Sequence, residues 1–201
     1  MTGSHRGRPI AAARDRKMLT TSRLLLRRWK NSDREPFAAL NADARVMQFL
    51  PHPLTAGESD SLVDRIETHF REHGFGLLAA ELRETGAFIG YIGLAVPRFV
   101  ASFTPCVEMG WRLAAEHWNR GLATEGARAV LRHAFEALKL DELVSFTVPA
   151  NRASRRVMEK LGMVHSPAED FDHPNLPEGH PLRRHVLYRI NRPSWMRREA
   201  S

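Results

Sequence analysis

An alternating run from Val107 to Leu113 leads through a short loop into an amphipathic stretch, Ala127 to Leu138, and this junction limits the folds open to the chain. The alternation sets Val107, Met109, Trp111 and Leu113 on one face of a strand and Glu108, Gly110 and Arg112 on the other. The connection reads Glu116-His117-Trp118-Asn119-Arg120-Gly121-Leu122-Ala123-Thr124-Glu125-Gly126. A strand, a glycine-bearing loop and a helix start together build an anion site. The first N–H groups of a helix lack internal partners and sit at the positive end of its dipole. Gly121, and nearly so Ala123, lets a ligand approach the backbone closely. Thr124 is the expected N-cap, and Arg120 supplies a cation beside the amides. A ligand carrying phosphate is expected to dock here.

A second segment, Asn151-Arg152-Ala153-Ser154-Arg155-Arg156-Val157-Met158-Glu159-Lys160-Leu161-Gly162-Met163, reads as a helix. Asn151 is its N-cap, Val157 and Leu161 mark a buried stripe, and Gly162 is the stop. Leu143 to Val148 before it reads as a strand.

The loop Trp118-x-x-Gly121-x-Ala123 resembles the acyl-CoA pyrophosphate loop of the GCN5-related N-acetyltransferases, Gln/Arg-x-x-Gly-x-Gly/Ala. The second segment is similar to that family's Asn-x-x-(Ala/Ser)-x-x-x-(Tyr)-x-x-x-Gly-Phe. Trp118 departs from Gln/Arg, and the departure looks like the RimJ/RimL-type branch, which acetylates ribosomal-protein N-termini. The resemblance spans roughly Ser22 to Ile190 and is dense from Val107 to Met163. It implies acetyl-CoA as acyl-donor co-substrate. Trp118, Asn119, Arg120, Gly121, Leu122, Ala123 and Thr124 would then hold the pyrophosphate, and Asn151 would touch the pantetheine arm. The backbone of Trp111, Arg112 and Leu113 would hold the thioester carbonyl and pantetheine.

The order along the chain predicts a mixed α+β fold. Arg23 to Trp29 reads as a strand, Phe37 to Leu50 as one or two helices, and Ser59 to His73 as a helix. Antiparallel strands follow near Phe75–Leu82 and Phe88–Leu94, with a third at Cys106–Leu113. Then come helix 124–138, strand 143–148, helix 151–161 and a late strand, His185 to Ile190. The family resemblance implies a mostly antiparallel central sheet flanked by helices. Its strands 106–113 and 143–148 would run parallel and splay apart.

At 201 residues and 43% apolar, the chain suits one domain, expected over 21–192, with a C-terminal tail at 193–201. Residues 1–20 read as a disordered basic arm carrying Arg6, Arg8, Arg14, Arg16 and Lys17. This arm holds part of the net charge of +7, and Met18 is an alternative start. An RNA-touching arm or a transit peptide is the sharper reading, but no aromatic interleaves the basic residues, so nucleic acid is not the expected partner. With no apolar run near the roughly 18 residues of a membrane span and no signal peptide, the expectation is cytoplasmic, without membrane association. A lone cysteine, Cys106, excludes an internal disulfide, and no His pair has zinc spacing, so no metal is expected.

Acetyl transfer to an amine needs a base for the amine, stabilisation of the thioester oxygen, and a proton for the departing thiolate. The family resemblance implies direct attack by the amine, with no covalent enzyme nucleophile, and leaves Cys106 structural. Glu108 is the first candidate base; otherwise it pairs with Arg112 or another cation. His173 is a rival base. Many family members place a Tyr where Met158 stands, and Met donates no proton. Ser154, on the same helix face, is the candidate acid, or else it only satisfies the helix start.

The loop from Ala168 to Pro181 is long, acidic and proline-stiffened. It suits a cationic acceptor, or is a solvent-facing connection. Trp29, Phe49, Phe75 and Tyr91 either line a pocket or pack the core. An amine-bearing acceptor, a peptide N-terminus or a small molecule, is the expected partner, and a homodimer is possible at family level. The alternatives are a non-catalytic acyl-CoA sensor on the same fold and an RNA- or ribosome-associated binding protein.

Overall fold

A computed structural model describes residues 18–199. Two short strands open it, β1 (Leu19–Thr20) and β2 (Leu24–Arg27). Three helices follow: α1 (Arg34–Ala42), α2 (Ala44–Met47) and α3 (Ala56–His73). A meander of β3 (Leu77–Leu82), β4 (Phe88–Ala95) and β5 (Glu108–Leu113) leads to α4 (Leu122–Arg132). Then come β6 (Glu142–Thr147), α5 (Arg152–Leu161), β7 (Val164–His165), β8 (Phe171–Asp172), β9 (Arg184–Asn191) and α6 (Arg192–Glu199). The sheet order is β1-β2-β3-β4-β5-β6-β9-β7, with β8 pairing β9.

Every strand pairing is antiparallel except β5 with β6. That parallel pair meets in register only at Glu108 and Val144. On their outer edges both strands are paired along their whole length, β5 to β4 and β6 to β9. The strands therefore splay, and a wedge opens beyond Glu108. This is the mixed, mostly antiparallel sheet with one splayed parallel pair that the chain order and family resemblance lead one to expect.

Local chemistry sets the element ends. Thr55 and Glu58 form a reciprocal capping box at the start of α3, and Gly74 stops it in the left-handed region at φ 78°. Asn151 caps α5 by accepting from the Ser154 amide at 3.2 Å, and Gly162 ends it at φ 82°. One sheet face packs α4 and α5 through Leu24, Ile92, Met109, Ala127, Val130, Leu131 and Leu143, all buried. The other packs α1 and α3 through Phe37, Leu40 and Val63, with Trp29, Phe88 and Tyr91 against them. Buried Arg27 closes that side by donating bidentately to Asp33, at 2.7 and 2.9 Å, and at 2.7 Å to Glu81.

The boundaries depart from expectation in three places. The amphipathic run expected as helix 124–138 starts two residues earlier, at Leu122, and its end winds as a π-helical turn over His133–Ala137. The expected tail at 193–201 is helix α6 as far as Glu199, held by buried Trp195 against Phe135. Within the arm expected over 1–20, Leu19–Thr20 form a strand, while residues 1–17 lie outside the described residues.

Glu125 ties the start of α4 to the first strands. Its carboxylate accepts from Thr21 Oγ1 at 2.6 Å, Ser22 Oγ at 2.9 Å, and Arg23 N and Nε at 2.8 and 2.6 Å. Burial pushes its pKa up, but the hydrogen bonds from Thr21, Arg23 and Ser22 outweigh burial and bring it to about 2 from 4.5. A depressed carboxyl stabilises the fold fully above 4.5 and loses that contribution as pH falls toward about 2. Wild type should therefore lose on the order of 2 kcal/mol more than Glu125→Gln over this window. Denaturant titrations of both proteins at several pH values check this, and parallel pH curves would refute it. A second close contact is equally testable: Gly90 sits at φ 132°, and an added Cβ would lie 2.0 Å from the Arg112 carbonyl oxygen. Gly90→Ala should cost on the order of 3 kcal/mol, read as a lowered denaturation midpoint.

Candidate functional site

A cavity of about 480 Å³ fills the wedge between β5 and β6. The start of α4, one face of α5 and the segment after α2 complete its lining. It gathers Glu108, Trp111, Arg112, Leu113, Trp118, Asn119, Gly121, Leu122, Ala123, Thr124, Asn151 and Ser154, which sequence reasoning had drawn from three separate stretches.

At one end stands the loop before α4. The N-cap is Gly121, left-handed at φ 76°, rather than Thr124, which is the third residue of the helix. Asn119 also takes positive φ, at 58°, so the chain turns twice within a few residues before the helix begins. The amides of Leu122, Ala123 and Thr124 belong to the first turn, where N–H groups have no intrahelical partner and the dipole is positive. Trp118 donates its indole N–H to the Leu113 carbonyl at 2.8 Å, pinning the loop to the end of β5. Arg120, expected to face the ligand, is not among the lining residues. Its carbonyl instead accepts from Arg23 Nη1 at 2.9 Å, beside the Glu125 anchor. Cations do reach the cavity from α5, as Arg156 and Lys160.

Midway, Asn151 bridges the base of the wedge. It donates to Thr147 Oγ1 at 3.0 Å while it caps α5. Ser154 lines the cavity one turn before Met158, which is 1% exposed. The thioether occupies the place where a phenol would otherwise reach the site.

Glu108 sits at the apex, where β5 and β6 part. The alternative of a Glu108–Arg112 pair is not realised: among the described residues no cation pairs with Glu108. Burial of its carboxyl pushes its pKa up to about 8. Neighbouring Cys106 is raised to about 11, first by burial and then by Glu108, so its thiol is protonated and inert at neutral pH.

The far side of the cavity is walled by Val46, Gln48, Phe49 and Leu50, with Tyr91 and Phe146. Phe49 and Tyr91 thus reach the pocket, whereas Trp29 and Phe75 pack in the core. Of this wall the sequence singled out Phe49; Val46, Gln48 and Leu50 were missed because nothing in their spacing marks them as facing a ligand. His173 does not line the cavity. It packs within an aromatic cluster, with Phe99 at 4.7 Å and His185 at 5.1 Å between ring centroids. Burial lowers its pKa. No residue of the 168–181 loop lines the cavity, and three of its acids are engaged: Glu169 with Arg189, Asp170 with His165, and Asp172 with Arg183 and Arg184. Among the described residues no cluster suited to a metal ion is found, and no helix is long and apolar enough to cross a membrane.

The family model described as Acetyltransferase (GNAT) domain matches residues 23–164, the stretch that builds this wedge. An N-acetyltransferase of Bacillus subtilis (strain 168), the uncharacterised YnaD, is 28% identical over 88% of this chain and 98% of its own length. A crystal structure of an acetyltransferase from Agrobacterium tumefaciens superposes with a TM-score of 0.69 at 28% identity, over 95% of this chain and 99% of that one. The spermidine N-acetyltransferase of Vibrio cholerae, solved with CoA and spermine, shares the fold at a TM-score of 0.68 and 18% identity, over 88% of this chain and 99% of that one. With a splayed parallel pair, a glycine-capped helix start at its mouth and a family match across both, the chain belongs to the GNAT acetyltransferases and is an acetyl-CoA-dependent N-acetyltransferase.

Proposed function

We propose that this enzyme acetylates a primary amine by direct attack, with Glu108 as general base and Ser154 as proton donor. The observation that carries the reading is the half-buried Glu108 carboxyl that lines the cavity at the apex of the wedge, paired with no cation among the described residues and raised to about 8. A base tuned near the working pH accepts a proton from an ammonium without holding it too tightly.

The wedge fits acetyl-CoA, which supplies the thioester acyl group. The amides of Leu122, Ala123 and Thr124 present donors and a positive dipole end to the pyrophosphate, and Arg156 and Lys160 add charge at the rim. Beyond Glu108 the inner edge of β5 has no strand partner, so the backbone of Trp111, Arg112 and Leu113 is open to pair with the amides of pantetheine. Asn151 holds the base of α5 against the same channel. Ser154 is the hydroxyl on the cavity face of α5 and serves where Met158 cannot donate.

The acceptor is a small amine or a peptide N-terminus. Trp118 in the pyrophosphate loop, and Ser154 one turn before Met158, which stands where many family members have Tyr, support the RimJ/RimL-like branch. A cytoplasmic enzyme acting as a homodimer is the accompanying expectation.

Gly121→Trp should abolish acetyl-CoA binding by calorimetry while the protein stays folded, because the indole fills the approach to the first-turn amides. Turnover by wild type should climb with pH through about 8, as Glu108 loses its proton. Glu108→Gln should lose about 10²–10⁴-fold in kcat together with that rise. A Glu108→Gln enzyme that keeps the wild-type pH profile rules the base role out. Ser154→Ala should reduce kcat more mildly, about tenfold or more, with the acetyl-CoA Kd unchanged.

A further inference from the structure

The acceptor side of the wedge holds a guanidinium that no carboxylate among the described residues meets. Arg112 lines the cavity and is partly buried, yet among the described residues its polar contact is a single donation, from Nη1 to Asn41 Oδ1 at 2.6 Å. Its Cζ stands 5.5 Å from the Tyr91 ring centroid. Three other arginines set into this fold each face two carboxylates: Arg27 meets Asp33 and Glu81, Arg34 meets Asp60 and Asp64, and Arg189 meets Glu142 and Glu169. Half-buried Arg155 is satisfied instead by the Tyr188 hydroxyl and the Pro149 carbonyl. A partly desolvated guanidinium is costly without a counter-charge, and its planar fork matches a carboxylate with two parallel N–H donors.

Arg112 is also held in place. Asn41 is fully buried, donates to Ser59 Oγ at 2.9 Å, and accepts the Leu54 amide on its backbone oxygen at 2.9 Å. One guanidinium donor is spent on this clamp, and the remaining donors are left for a ligand. Gly110 lies between Glu108 and Arg112 on the same strand face. A Cβ there would meet only Glu108 Oε1, at 3.8 Å, so the floor between the two groups is open. Among the described residues Glu108 is the only carboxylate in the lining. A polycation would find no run of acids here: no residue of the 168–181 loop reaches the lining, and Glu169, Asp170 and Asp172 are paired elsewhere.

We propose that Arg112 binds a carboxylate carried by the acceptor, so that the acceptor is an amino-acid-like monoamine rather than a polyamine. The inference rests on reading Glu108 as the base, because that places the amine at the open end of the Glu108–Gly110–Arg112 stripe. Val46, Phe49, Leu50 and Phe146 wall the chamber, so the acceptor body is apolar or aromatic.

The test compares amines that differ only by a carboxylate, phenylalanine with phenethylamine and 6-aminohexanoate with hexylamine, with spermidine as the polyamine. Thiol release gives kcat/KM. Calorimetry of the N-acetylated products in the presence of CoA gives the same ranking without turnover. The carboxylate-bearing member should be favoured about tenfold or more in at least one pair, the scale of a charged hydrogen bond. Arg112→Met should erase that preference through KM, with the acetyl-CoA Kd unchanged. Arg112→Lys, which keeps a donor for Asn41 and so protects the fold, should retain part of it. Equal handling of both members of each pair, a lead for spermidine, or Arg112 variants that weaken acetyl-CoA instead of the acceptor would each overturn the proposal. Absence of thiol release with every amine would count against the base reading alone, because product binding still reports on Arg112.

Discussion

The rest of this structure depends on a single bridge, Glu108 to Val144, between two six-residue parallel strands that otherwise pair elsewhere. A strand can leave its neighbour only if its remaining polar groups have somewhere to go. Here the outer edges of β5 and β6 are fully paired to β4 and β9, and the inner edges open on the wedge. The splay therefore produces three things at once: a channel, a row of free backbone donors and acceptors, and an apex where a carboxyl loses its water. The raised pKa of Glu108 follows from that last effect, with burial as its stated cause.

Rigidity around the wedge comes from contacts outside it. Glu125, on the first turns of α4, gathers hydrogen bonds from Thr21, Ser22 and Arg23, and Arg23 in turn holds the Arg120 carbonyl. Trp118 fastens the other side of the loop to the Leu113 carbonyl. The first-turn amides of α4 have no intrahelical partner, and side chains and a neighbouring turn hold the loop instead. Trp118, in the position where the family pattern has Gln or Arg, ties the loop to the strand, while cations reach the cavity from β5, as Arg112, and from α5.

Much of the site was readable from local chemistry. Asn151 and Gly162 act at the ends of α5 as read from the sequence, whereas α3 starts at Ala56, three residues before the expected Ser59, behind a Thr55–Glu58 capping box. The alternation of 107–113 correctly set Glu108, Gly110 and Arg112 on one face, and the order strand, loop, helix brought the 118–124 loop to the cavity. What failed locally is instructive. Thr124 has a good capping side chain, but Gly121 takes the N-cap because the loop needs a left-handed turn there. Arg120 looked like an anion ligand, but it does not line the cavity, and its carbonyl accepts from Arg23. The acidic loop at 168–181 looked suited to a cationic acceptor, but it does not reach the cavity, and Glu169, Asp170 and Asp172 are used on Arg183, Arg184, Arg189 and His165.

By itself, then, the sequence determined the principal strands and helices, their order, the cap and stop of α5 and the two faces of β5, because these depend on neighbours within a few residues. Only the tertiary structure decided which charges stay unpaid by the protein. Arg112 and Glu108 share a strand face and could have paired. The fold turns Arg112 toward Asn41 on α1 and leaves Glu108 enclosed at the apex, because helices distant in the chain pack against that face. Partners of a charge come from whichever elements the sheet brings close, and no spacing within one strand encodes them.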